Sequence, residues 1–151
     1  MASVNFQTYD DYEALEAVLH GWAEAYAALV ELRSIGKSYE GRDLWLMVLT
    51  NKATGAPRSK PSFWVDANIH ATEVTGSMAA LHLIETLLTG YGADPERTRL
   101  LDTMTFYILP RFNPDGAERA LKTPYGVRSS VRPYPLLERQ DGLYLEDIDG
   151  D

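Results

Sequence analysis

An α/β fold is predicted by three features of the sequence: apolar runs of strand length, segments with helical periodicity, and a strand–helix–strand order at the centre. The run Phe63–Ile69 is apolar with little alternation, the pattern of a strand buried on both faces. From about Glu73 to Leu88, the residues Met78, Leu81, Ile84, Leu87 and Leu88 recur at helical spacing. Thr103–Leu109, TMTFYIL, reads as a second buried strand. Together they form a βαβ unit, for which parallel pairing and a right-handed crossover are expected.

The other elements follow in order. Thr8 and Asp11 resemble a capping box. After them Tyr12, Leu15, Leu19, Trp22, Tyr26 and Leu29 recur every three or four residues, predicting an amphipathic helix with a break near Gly21. Ser34–Tyr39 and Asp43–Thr50 predict a hairpin around Glu40-Gly41-Arg42, with the apolar LWLMVL strand central. Asn51–Pro61 is a turn-rich, basic surface loop, and Glu96–Leu101 a short helical turn. Beyond Leu121 periodicity fails in a segment rich in proline, arginine and serine. No internal repeat is visible.

With 151 residues, the chain fits one domain with a sizeable core. A net charge of −8 and no basic stripe exclude a nucleic-acid partner. The absence of cysteine excludes disulfides and cysteine-based zinc sites. No apolar run is long enough to span a membrane, so no membrane partner is expected. The N-terminus lacks the charged and apolar regions of a signal peptide, which makes a cytoplasmic location the expectation.

The chemistry concentrates where the first strand of the βαβ unit gives way to its helix. His70 and Glu73 sit there, at the carboxyl-end crevice where open α/β sheets usually bind ligands. An imidazole and a carboxylate three residues apart across such a turn can face one point, as two ligands of one zinc ion must. A histidine at a strand end that is merely hydrogen-bonded would have the same spacing. The second strand ends in Pro110-Arg111-Phe112-Asn113-Pro114-Asp115-Gly116. If the strands are parallel neighbours, this run opens on the same sheet edge as His70, although Asn-Pro-Asp-Gly also reads as a plain tight turn.

In this order the pieces resemble the zinc metallocarboxypeptidase family, the carboxypeptidase A-like enzymes. The resemblance rests on the N-terminal helix, Ile35–Arg42 (IGKSYEGR), His70-Ala71-Thr72-Glu73, Asn113-Pro114-Asp115-Gly116 and an arginine shortly after it. It implies a mixed, twisted eight-stranded sheet with helices on both faces. This chain, expected to be mostly parallel, matches roughly the first half and so reads as the N-terminal part of one catalytic domain over residues 1–151. It also implies one zinc ion held by His70 and Glu73, a peptide or amide substrate, and Arg128 as the arginine that polarises the scissile carbonyl and contacts substrate, with Arg132 as its rival. Zinc activates a water in this chemistry, and a guanidinium offsets the charge on the tetrahedral intermediate.

Three departures qualify the resemblance. The family's third zinc ligand is a downstream histidine and its general base a late glutamate, and neither position is present. His82, nine residues after Glu73, is rotated by about 900° of helix and points to the opposite face; His20 has no assigned role. Where digestive members bind the substrate carboxylate with Asn-Arg, this chain has Asp149-Gly150, and an acidic residue there cannot form an arginine fork. Thr72 replaces an arginine common before the metal-binding glutamate. The leading expectation is part of a zinc peptidase, inactive as a separate chain. A second is a non-catalytic interaction module, self-associating through an uncovered sheet edge.

Several residues carry simpler expectations. Asp147, Asp149 and Asp151 have the first positions of a calcium loop, but a solvated acidic turn accounts for them. Trp22, Trp45 and Trp64 are expected in or beside the core. Tyr125 and Tyr134 line a cleft or pack a loop, Arg111 approaches the metal-side crevice or, more simply, forms a surface ion pair, and Asp66 needs a partner inside its strand.

Overall fold

The computed structural model describes residues 4–132. Helix α1 spans Tyr12–Ala25 and is capped by Asp11, whose carboxylate accepts from the Ala14 N–H at 2.9 Å. The cap is therefore the second member of the expected capping box, while Thr8 closes a preceding turn onto the Asn5 carbonyl. The helix runs through Gly21 without a break and buries Tyr12, Leu15, Val18, Leu19 and Trp22.

Strands β1 (Val30–Lys37) and β2 (Asp43–Leu49) form the expected antiparallel hairpin. Its turn is closed by Ser38 N–H to the Arg42 carbonyl at 2.8 Å, and Gly41 takes φ +89°, a conformation that costs glycine little. Two short 3₁₀ turns, Lys52–Thr54 and Pro57–Ser59, occupy the basic loop. Then come β3 (Ser62–Asp66), α2 (Val74–Gly90), α3 (Pro95–Thr103), β4 (Thr105–Leu109) and α4 (Pro114–Lys122).

The sheet order is β1-β2-β4-β3. β3 and β4 are parallel neighbours, in register from Ser62–Thr105 to Asp66–Leu109, as the βαβ reading expects. The sheet is mixed, but within the described strands the β1/β2 and β2/β4 pairs are antiparallel, so the parallel share is smaller than expected. The hairpin explains this: once β2 pairs with β4, the short turn after β1 forces one antiparallel contact and the direction of β4 a second.

One face of the sheet carries the main core, where Met47, Leu49, Phe106 and Ile108 meet Leu19 and Trp22 of α1, Leu81 and Ile84 of α2, and Leu101 of α3. The other face carries a smaller cluster of Leu46, Val48 and Leu109, with Leu44 and Tyr107 beside it. Of the helix layers expected on both faces, the described helices supply the first.

The expectation that Phe63–Ile69 is buried on both faces is corrected. β3 lies at the edge of the described sheet, and Phe63 and Trp64 are 53% and 51% exposed. Apolar composition marks a strand suited to burial but not its position in the sheet. Asp66 is likewise exposed and accepts from the Trp64 indole N–H at 3.0 Å. Trp22 is buried and Trp45 half-buried, as expected. Among the described residues no helix is long and apolar enough to cross a membrane.

Candidate functional site

Because β3 and β4 are parallel, the segments leaving them open on one edge of the sheet. The first, residues 67–73, continues along β4: the Ala67 N–H donates to the Leu109 carbonyl, and Phe112 N–H to the Ala67 carbonyl. The chain then turns at Asn68, whose φ of +57° is the only positive value at a non-glycine residue among the described residues. This turn delivers His70 and Glu73 to the mouth of a solvent-open cleft also lined by Ile69, Thr75, Gly76 and Leu83.

His70 Nδ1 lies 3.0 Å from each carboxylate oxygen of Glu73. Glu73 occupies the N-cap of α2 but makes no side-chain cap bond, so its carboxylate is turned to the imidazole. Arg128 closes the group, with Nη2 3.4 Å from His70 Nε2 and Nη1 3.6 Å from Glu73 Oε1. These contacts suit the tautomer in which Nδ1–H donates to Glu73 and the Nε2 lone pair faces the guanidinium.

Backbone bonds join the two loops. The Ala71 N–H donates to the Arg128 carbonyl at 2.8 Å. The Asn113 amide donates to the Ile69 carbonyl at 3.3 Å and to the Ser129 carbonyl. Asn113 also caps α4, its side-chain oxygen accepting from Gly116 N–H at 3.0 Å, with Pro114 at the first helical position. The Asn-Pro-Asp-Gly run is thus the start of a helix rather than a plain turn, which its cap-then-proline order could have signalled. Gly116 is required by close approach: a Cβ there would meet the Ala71 Cβ at 2.5 Å.

The structure separates the two candidate arginines. Arg132 lies over the Tyr39 ring, 5.3 Å from its centroid, whereas Arg128 touches both His70 and Glu73. Arg111 is not the expected surface residue. It is 3% exposed, and its guanidinium donates to Ser77 Oγ at 3.1 Å and to the Asp10 carbonyl at 2.9 Å. Burial pulls its pKa below the ordinary value, against the opposing charges of Glu118 and Asp10.

His82 and His20 stand apart, edge-on to Phe6 and Trp45 respectively. Tyr125 is 69% exposed. Asp149, Gly150, the Asp147–Asp151 run and Tyr134 lie outside the described residues.

The donor set suits zinc. Two atoms bound to one zinc at 2.0–2.2 Å lie about 3–3.5 Å apart, and Nδ1 and the carboxylate oxygens already face each other at that separation. Among the described residues no group of three or more histidine, cysteine or acidic side chains converges, and His70 and Glu73 are the pair that meets at this edge.

Comparison with known proteins identifies the chain's relatives. The zinc carboxypeptidase family model matches residues 15–135. Mouse carboxypeptidase M is 38% identical over 122 residues, 81% of this chain and 27% of the relative; human carboxypeptidase A6 is 32% identical over 116 residues, 77% and 26%. The crystal structure of thrombin activatable fibrinolysis inhibitor superposes with a TM-score of 0.72 at 30% identity, covering 80% of this chain and 30% of that one. The chain belongs to the zinc carboxypeptidase family. It spans about a quarter of the length of the curated relatives named above.

Proposed function

We propose that this chain provides His70 and Glu73 as zinc ligands and Arg128 as the oxyanion-stabilising arginine of a hydrolase that cleaves C-terminal peptide or amide bonds. The observation that carries the reading is the convergence of all three side chains at one sheet edge, from two loops joined by the Ala71–Arg128 and Asn113 bonds. When bound, zinc would lower the pKa of a coordinated water and polarise the scissile carbonyl.

The residues have separate tasks. His70 and Glu73 would hold the cation; a metal at Nδ1 would need that atom's lone pair, so the imidazole would carry its proton on Nε2 instead. Arg128 presents N–H donors beside the same point, where negative charge develops on the carbonyl oxygen. Its side chain is 71% exposed, so it stays accessible to a substrate entering from solvent. Among the described residues the proposed protein ligands number two, fewer than the three of usual catalytic sites, which supports low zinc affinity and low turnover.

The interaction-module reading draws on one observation, the exposed Phe63 and Trp64 on edge strand β3. It does not account for the His70–Glu73–Arg128 convergence, so we favour the hydrolase reading.

A phosphonate peptide, which mimics the tetrahedral intermediate, tests this reading directly. With zinc in excess, NMR titration is expected to show binding that Arg128→Ala weakens by about 10- to 100-fold. Equal binding by both proteins, or binding indifferent to zinc, would overturn it.

A further inference from the structure

We infer that Asn68, Ser77 and Arg111 form a buried positioning chain that sets the shape of the loop carrying His70 and Glu73; its metal-affinity consequence rests on the zinc-ligand reading above. The three residues come from three segments, the loop after β3, the second turn of α2 and the loop after β4. They are 4%, 0% and 3% exposed. Arg111 Nε donates to Ser77 Oγ at 3.1 Å, and Ser77 Oγ donates to the Asn68 side-chain oxygen at 3.2 Å. The Asn68 amide then donates to the carbonyls of His70 at 2.7 Å and Ala71 at 3.2 Å.

The direction of these bonds is fixed by chemistry. A guanidinium only donates, so Ser77 must accept from it and spends its own hydrogen on Asn68. That orients the amide with its oxygen toward Ser77 and its NH₂ toward the loop. The His70 carbonyl is also the acceptor for the Glu73 N–H at 3.1 Å, the bond that closes the His70-to-Glu73 turn. One amide thus holds the carbonyl on which the spacing of both ligands depends. Asn68 reaches it by adopting φ +57°, which an asparagine tolerates better than most residues.

Arg111 anchors the chain at its far end. Its Nη2 donates to the Asp10 carbonyl just before α1, while Nη1 has no hydrogen-bond partner among the described residues. Burying a guanidinium for one hydroxyl and one carbonyl is expensive. A role in fixing Ser77 and Asn68 accounts for its burial better than a gain in stability does. Asn68 borders the cleft with its amide committed to the His70 and Ala71 carbonyls, and Ser77 and Arg111 do not line it, so the three are positioning residues.

Asn68→Gly is the sharp test, because glycine keeps φ +57° available and removes only the amide. In the 151-residue protein we expect hydrogen exchange at the Ala71 and Glu73 amides to quicken at least about tenfold, with the β2 and β4 sheet amides unchanged. Ser77→Ala should show the same local pattern to a smaller degree. Zinc affinity, measured by calorimetry, should fall by about 10- to 100-fold. Unchanged loop exchange, or loop and sheet exchange rising together, would overturn the positioning role. Zinc affinity equal in wild type and Asn68→Gly would overturn its link to the metal. A wild-type protein that binds no zinc refutes the proposed function and the metal link together, while the exchange data still decide the positioning role.

Discussion

Asp115 shows how much one buried carboxylate can organise. It accepts from Ser38 Oγ at 2.7 Å, the Glu40 N–H at 2.9 Å and Arg42 Nη1 at 2.7 Å, pinning the tip of the β1–β2 hairpin to the first turn of α4. Burial pushes its pKa up, but these donors outweigh burial and hold it below the ordinary carboxylate value. A depressed folded pKa contributes stability that is complete above the unfolded value of about 4 and fades as pH falls through the folded value. Thermal unfolding across pH should therefore show a loss of stability below about pH 4 that Asp115→Asn makes much shallower. At neutral pH that variant should cost on the order of 2–4 kcal/mol, because Arg42 is left with only Glu40. An unchanged acid limb in Asp115→Asn would assign the acid sensitivity to other carboxylates.

Individual contacts like these were hidden from the sequence. His70, Glu73 and Arg128 could be picked out by spacing and resemblance, since each is close in sequence to a motif. Asn68, Ser77 and Arg111 could not. Their bonds span separations of 9 and 34 residues, and an arginine at a strand end gives no sign in sequence that it will be buried.

At the scale of elements, local rules explain most of what forms. Helical periodicity located α1 and α2, and the order of the βαβ unit gave the β3–β4 pairing. α4 was missed because it is a nine-residue helix whose buried face, Asp115, Gly116, Ala117 and Glu118, is small or charged. No apolar stripe announces it. Its docking instead uses polar bonds, including the Tyr12 N–H to Glu118 at 2.7 Å, and the close Gly116–Ala71 approach. Gly116→Ala should force a shift in one of two backbones, costing about 1–3 kcal/mol by thermal or urea unfolding. The same shift should move the His70 ring resonances in NMR, since Ala71 follows His70 directly. A fully stable variant with unmoved His70 signals would show that α4 does not brace the site.

Across the described residues, the fold gathers His70, Glu73 and Arg128 at one edge of the sheet while the main core packs against one of its faces. The main core, from α1 to β4, holds β3 and β4 parallel, and that alone brings two distant loops to one edge. The mixed α/β class was legible because strand and helix periods differ. The exposure of β3 was not, because its neighbours in the sheet depend on the global order of strands.

Zinc titration of the 151-residue protein, followed by calorimetry and by the His70 ring signals in NMR, tests the central claim most directly. One zinc per chain is expected, bound weakly for a catalytic metal, with a dissociation constant of about micromolar or above, as the pair of donors among the described residues allows. His70→Ala and Glu73→Ala should each abolish the binding. Zinc that binds these variants as well as wild type, or that leaves the His70 ring unmoved, would contradict the assignment of His70 and Glu73 as ligands.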